Sequence, residues 1–203
     1  MESLEIERKY VVDEECVLPG ANVLLELGFV VSPRESVPME ATYFDTPEGA
    51  LGAQRVAVRL RIGGKDEGWH LKRKGPEGSR ERVWPPAAEM PAALRAEIVD
   101  RIGDAEAQRL IAIATMHTVR EITRVSVPGG SWVIELADDR VTASNALTGT
   151  SSGWREWEAE LAPSADPDLL DRLEPALLAA GATRVRGTSK LQRALGRPSD
   201  PVT

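Results

Sequence analysis

Apolar and charged residues alternate from the start of the chain. Leu4, Ile6 and Tyr10, with the stem of Arg8, fall on one side of an extended segment, and Glu5, Glu7 and Lys9 fall on the other. The same period of two recurs over residues 36–46, 55–63, 67–74, 80–85, 118–128, 131–141 and 153–162, which with 2–12 predicts about eight strands. Turn-forming runs such as Gly63-Gly64-Lys65-Asp66-Glu67-Gly68 and Pro128-Gly129-Gly130 join several of them directly. Connections that short make neighbouring strands antiparallel. Elsewhere the period lengthens. Residues 19–27, ended by Gly28, read as a short helix, and residues 91–113, rich in Ala, Leu, Arg and Glu, as one or two helices broken near Gly103. Asp166-Pro167-Asp168 opens a further helix that Gly181 stops, and residues 189–195 predict a last short one. Residues 196–203 read as a linker or a disordered tail.

The charged faces come in both signs. Arg59 and Arg61 share a face, as do His70, Lys72 and Lys74, which lie opposite Trp69 and Leu71. Arg80 and Arg82 follow at the same spacing, and Arg120 and Arg124 share a side with Ile122. On the acidic side, Glu135 and Asp139 lie on one face of their strand, and Glu156, Glu158 and Glu160 align on the next. One such stripe is ordinarily a solvated surface. Repeated on strand after strand, with Leu, Ile, Val and Trp opposite, it predicts an α+β, mainly β fold. That fold is a closed eight-stranded antiparallel β-barrel, a tunnel whose charged face curls inward and whose apolar face is covered by peripheral helices. Like charges on neighbouring strands repel, so this many Arg and Lys around one cavity imply an anion. The carboxylates beside them are hard oxygen donors of the kind that hold Mg²⁺ or Mn²⁺. Arginine grips phosphate oxygens bidentately and lysine acts as a point charge, so the combined lining suits a metal-bound chain of phosphates.

Composition narrows the setting. The 203 residues suffice for one well-buried domain, expected over 1–195, and the formal net charge of -7 argues against binding duplex nucleic acid. A lone Cys16 rules out an intramolecular disulfide. No stretch of apolar residues is long enough to span a bilayer, and Glu2, Glu5 and Glu7 charge the amino terminus, so a cytoplasmic protein free of membrane is expected, as monomer or homodimer. The aromatic residues Tyr43, Phe44, Trp69, Trp132, Trp154 and Trp157 read as packing, and Asp45-Thr46-Pro47 as a strand exit and cap. His70 shares the face of Lys72 and Lys74. His117 falls in a connector and receives no role, and two histidines among so many carboxylates do not make a zinc site.

Five motifs, in order, carry a resemblance: Glu5-Ile6-Glu7-Arg8-Lys9, Tyr43-Phe44-Asp45-Thr46, Arg59-x-Arg61, Leu71-Lys72-x-Lys74 and Glu156-x-Glu158-x-Glu160. Together they resemble the CYTH domain superfamily, the triphosphate tunnel metalloenzymes, and the likeness runs from the first strand to Ser189-Lys190-Leu191. It implies an antiparallel tunnel that holds a triphosphate and a divalent metal. Glu5, Glu7, Glu158 and Glu160 would then be metal ligands, joined by Asp139 and Glu156. Lys9, Arg59, Arg61, Lys72, Lys74, Arg120 and Arg124 would clamp phosphates, with Arg80 and Arg82 continuing the cationic row and Lys190 reaching in from the carboxyl-terminal side. Lys9, with Glu5 and Glu7, is the expected catalytic group, able to position the attacking water if neighbouring cations depress its pKa.

Three functions follow from that likeness. Hydrolysis of a triphosphate, inorganic triphosphate first, requires only the charged lining. A class IV type adenylate cyclase would need a base site and a geometry that lets a ribose hydroxyl reach the α-phosphate. A polyphosphate-binding module would recruit without turnover, and Pro198 and Pro201 stand where some relatives continue into a CHAD domain, so a fusion in a longer parent chain is a further expectation.

Overall fold

In a computed structural model, which describes residues 2–186, 188–197 and 200–201, the alternating runs form one antiparallel sheet. In chain order the elements are β1 (Glu2–Glu5), β2 (Glu7–Val11), α1 (Ala21–Glu26), β3 (Val30–Val31), β4 (Glu35–Asp45) and α2 (Ala50–Ala53). Then come β5 (Val56–Ile62), β6 (Gly68–Lys74), β7 (Ser79–Trp84), α3 (Ala92–Ile102), α4 (Asp104–Ala107) and β8 (Ile111–Ser126). The chain continues through β9 (Trp132–Asn145), β10 (Thr150–Leu161), α5 (Asp168–Ala179), β11 (Thr183–Arg186), α6 (Lys190–Ala194) and β12 (Asp200–Pro201).

The strand order is β1-β7-β6-β5-β4-β8-β9-β10-β2-β11-β12, with β3 pairing β8. The sheet curls into an open half-barrel and is not the closed eight-stranded barrel expected from the alternation. Its two flanks are drawn together by the chain itself. β1 pairs with β7, β2 pairs with β10, and only Ile6 separates them in sequence. The ladder is interrupted there, although the Ile6 carbonyl still accepts from the Leu161 amide at 2.9 Å.

Two apolar covers lie on the convex face. β2, β9 and β10 turn Tyr10, Ile134, Leu136, Trp157 and Ala159 against α1 and α5, whose Leu24, Leu170, Leu173 and Leu177 are buried with them. β5 and β6 turn Val56, Val58, Trp69 and Leu71 against α2 and α3, burying Leu51, Leu94 and Ile98. α5 presents its apolar residues at helical spacing, so one stripe faces the sheet. A third cluster sits on the concave face, where Leu191 and Ala194 of α6 pack on Tyr43, Met116, Val141, Ala143 and Trp154. Gly68, with φ 143°, opens β6 where the Trp84 carbonyl lies 2.1 Å from the place a Cβ would take, so no side chain fits there.

Some expected boundaries move. The helix read through residue 113 ends in α4, and Ile111 already belongs to β8, which carries His117 outward toward Glu40 instead of leaving it in a connector. Ala-rich composition gave residues 91–113 a helical look to their end, but Ile111 and Ala112 pair with Asp45 and Phe44 of β4. Half of the expected tail at 196–203 lies outside the described residues, and the backbone of Asp200-Pro201 pairs with β11. Among the described residues no helix is long and apolar enough to cross a membrane.

Candidate active site

The concave face gathers charged side chains from seven strands. β1 and β2 supply Glu5, Glu7 and Lys9, β5 supplies Arg59 and Arg61, and β6 supplies His70 and Lys72. Arg120 comes from β8, Glu135 and Asp139 from β9, and Glu156, Glu158 and Glu160 from β10. Register explains the convergence. Glu160 stands opposite Glu7 and also opposite Glu135, and Glu156 stands opposite Asp139, so consecutive inward positions line up across strands.

Glu158 is the centre of the acidic part. Its Oε1 accepts from Lys9 and, at 2.7 Å, from Lys190, and its Oε2 accepts from Arg120 at 2.6 Å. Arg120 also forks onto Asp139, with contacts of 2.7 and 2.6 Å. Burial alone would raise the Glu158 pKa, but Lys190, Lys9 and Arg120 outweigh it and hold the group well below the usual carboxylate range. The same neighbours act in reverse on Lys9. Burial would lower its pKa, yet Glu158, Glu7 and Glu156 raise it well above normal. Lys9 is therefore a fixed ammonium, and the expectation that nearby cations would depress its pKa is corrected: its closest charges are carboxylates. Lys72 joins the two amino-terminal acids, with Nζ 2.5 Å from Glu5 and 3.4 Å from Glu7.

Lys190, carried by α6 and capped by Ser189, reaches the same centre. Its Nζ lies 2.9 Å from Asp139, 2.6 Å from Glu156 and 2.7 Å from Glu158. Those three buried carboxylates also place oxygens within 4.8 Å of one another. Converging hard oxygens already arranged around a positive charge fit a divalent cation such as Mg²⁺ or Mn²⁺. Glu7 and Glu160 neighbour Glu158, and Glu5 is joined to Glu7 through Lys72, so these three extend the donor set.

Glu160 has no cation within ion-pair distance among the described residues, and burial, with Glu7 and Glu158 adding repulsion, pushes its pKa up to about 7. Glu5 rises to about 8, again chiefly through burial, despite Lys72. A carboxyl raised by folding stabilises the protein fully below its unfolded pKa, and that contribution disappears as pH climbs to the folded value. For Glu160 the window runs from the ordinary 4.5 to about 7. Glu160→Gln is thus expected to flatten the fall of Tm with rising pH across this window in metal-free protein. Melting curves that keep the wild-type slope would refute it.

The cationic part is built on β5. Arg59 donates through Nη1 to Tyr43 Oη at 3.2 Å and through Nη2 to Glu81 at 3.1 Å, and Arg61 donates to Asp66 at 3.0 Å. The Nε of each is buried without a partner. Lys74 lies at the exposed end of β6, its pKa lowered first by desolvation and then by Lys9. Arg124 stands at the margin, 3.8 Å from Glu135 and 3.9 Å from Glu35.

Arg80 and Arg82 do not join this arc. β7 turns Glu81 inward and both arginines outward, where Arg82 pairs with Glu97 of α3 and stacks over Trp84 at 5.1 Å. The turn Gly75-Pro76-Glu77-Gly78 could have revealed the parity. It pairs Lys74 with Ser79, which sets Glu81 opposite Lys72. Tyr43, Asp66, Glu81 and Lys65, whose Nζ is 3.0 Å from Glu135, are the cavity residues that the charge pattern did not single out. Asp45 and Thr46 form the expected cap: Asp45 accepts from the amides of Thr46, Leu51 and Gly52 at 2.7 to 2.9 Å.

The family model described as CYTH domain matches residues 3–195. Two uncharacterised Mycobacterium tuberculosis proteins, from strains CDC 1551 and H37Rv, are each 36% identical over 211 residues, covering 97% of this chain and 41% of their own length. The chain thus spans about two-fifths of the curated relatives it matches. Among solved structures, a Bacillus halodurans candidate adenylate cyclase superposes with a TM-score of 0.62 at 19% identity, covering 95% of this chain and 97% of its own. A Hippeastrum protein, a candidate adenylyl cyclase reported to have a dominant triphosphatase activity, gives 0.59 at 21% identity, covering 96% and 97%. At those identities the likeness is one of fold.

Proposed function

The chain belongs to the CYTH domain family, and from that premise we propose that it hydrolyses a triphosphate, inorganic triphosphate in preference to ATP, with Mg²⁺ or Mn²⁺. The observation that carries this reading is the division of one concave face into a carboxylate cluster centred on Glu158 and an arginine arc with unpartnered buried N–H groups. Asp139, Glu156 and Glu158, with Glu5, Glu7 and Glu160 beside them, would hold the metal, whose charge when bound offsets that of the phosphate oxygens. Arg59, Arg61, Lys72 and Arg120 bind and orient the anion, and Lys9 donates to it as a permanent ammonium. Lys190 reaches the same centre, and with a metal held there it would be a further phosphate contact.

Preference for a bare triphosphate rests on the aromatic rings. Trp157 is sealed in the convex core, Phe44 and Trp69 pack on each other at 5.1 Å, and Trp154 lies under Arg193 and donates to Glu156. None of these is laid open for a base. The test is one product-resolved assay with inorganic triphosphate, ATP, thiamine triphosphate and long polyphosphate in each metal. Orthophosphate plus pyrophosphate from triphosphate, faster than any product from ATP, is the expected result. Cyclic AMP as the main product would make the chain a cyclase, and tight polyphosphate binding without turnover would make it a recruitment module.

A further inference from the structure

We infer that Asp66, His70 and Glu81 form a brace that presets Arg59 and Arg61 for the anion, so that these three act as positioning residues rather than as ligands. The inference rests on the clamp role given to the two arginines above. It starts from a continuous run of contacts. Tyr43 Oη accepts from Arg59 Nη1 at 3.2 Å, and Arg59 Nη2 donates to Glu81 Oε1 at 3.1 Å. The same Glu81 oxygen lies 3.1 Å from His70 Nδ1, and His70 Nε2 is 2.7 Å from the Asp66 carbonyl oxygen. Asp66 closes the run, its carboxylate accepting from Arg61 Nη2 at 3.0 Å. Six residues from β4, β5, β6, β7 and the β5–β6 turn are tied into one chain that runs from Tyr43 through Arg59 to Arg61.

Burial and charge give the run its purpose. His70 is fully buried and Glu81 is 5% exposed, so neither side chain samples solvent. Glu81 Oε1 is shared between Arg59 Nη2 and His70 Nδ1, at 3.1 Å from each. A buried carboxylate that cannot leave its partners fixes the guanidinium plane of Arg59 from the terminal-nitrogen side. The unpartnered Nε–H groups of Arg59 and Arg61 are what the brace leaves over. Donors held in place before the anion arrives cost it less ordering on binding. Two arginines two residues apart on one strand also repel, and burial followed by Arg59 lowers the pKa of Arg61. Glu81 on one and Asp66 on the other offset that repulsion.

A double-mutant cycle separates positioning from bulk structure. Glu81→Gln is expected to lower kcat/KM for triphosphate about tenfold, yet to change it less than about twofold in an Arg59→Ala background. Asp66→Asn keeps the backbone carbonyl that meets His70 and lies on a solvent-facing turn, so it reports on Arg61 alone. Its effect, about threefold, should vanish beside Arg61→Ala. Independent of turnover, the Arg59 Nε–Hε resonance should sharpen its exchange with water and lose its heteronuclear order in Glu81→Gln, and remain as in wild type in Asp66→Asn. Additive losses in the first cycle, or an Arg59 guanidinium equally ordered with and without Glu81, would overturn the brace. A wild-type protein that neither hydrolyses nor binds inorganic triphosphate, while Arg59 still loosens in Glu81→Gln, would refute the functional reading and uphold the brace.

Discussion

Glu158→Gln is expected to lower kcat/KM for triphosphate by about a hundredfold or more, which corresponds to a barrier rise of about 2.7 kcal/mol. Two losses combine. The buried carboxylate trio that fits a divalent cation would keep only two charged members, and Lys9, Lys190 and Arg120 would lose the counter-charge they share. Removing one of the carboxylates that offset these buried cations destabilises as well, although Glu7, Asp139 and Glu156 still pair with them, so the variant should also melt earlier than wild type at neutral pH. Calorimetric titration with Mg²⁺ and steady-state rates at limiting metal check both parts. Wild-type rates at limiting Mg²⁺ would remove Glu158 from the site.

The second large effect contrasts two faces of one sheet. Arg59→Ala and Arg61→Ala should each cost about tenfold or more in kcat/KM, because a charge-assisted contact to a phosphate oxygen is worth about 1.5–3 kcal/mol. Arg8→Ala should leave kcat/KM within about twofold. Arg8 sits between Glu7 and Lys9 in sequence but points to the convex face, where it donates to Asp171 and, at 2.8 Å, to Glu174 of α5. Its loss should appear in unfolding instead, as about 1–2 kcal/mol in a denaturant midpoint, since α5 loses two of its anchors. Equal activity losses from Arg8→Ala and Arg59→Ala would mean that the two faces do not have separate tasks.

Where the chain alternates strictly, the sequence was enough to place side chains. Glu5, Glu7, Lys9, Arg59, Arg61, Lys72, Arg120, Asp139, Glu156, Glu158 and Glu160 all reach one concave face because a strand offers only two faces and one of them is apolar. Arg80 and Arg82 were misassigned for the same reason in reverse. β7 reads Ser-Arg-Glu-Arg-Val-Trp, charged on both faces, and only the turn before it decides which face is inward. Charge state was less legible than position. A row of cations in sequence suggested a depressed pKa for Lys9, but cross-strand pairing sets its electrostatic neighbours, and these are Glu7 and Glu158. That the sheet stays an open half-barrel, where the alternation predicts a closed one, was not legible either. That one segment would divide its pairing between β7 and β10 follows from the curl of the whole sheet, which no local run encodes.

The break at Ile6 also orders events in folding. Contacts within β4 to β7, and within β8 to β10, join stretches close in sequence, whereas β1 must find β7 and β2 must find β10, with Glu2 meeting Arg82 and Glu158 meeting Lys9. Closing such long loops carries an entropic cost that nearby hairpins avoid, and non-local pairing is slow for that reason. Glu5, Glu7 and Lys9 ride on the segment that docks across the greatest sequence distance. The half-barrel can therefore acquire most of its hydrogen bonds before it acquires a site, and Lys72 waits for its partners Glu5 and Glu7 until the chain's own beginning returns to meet it.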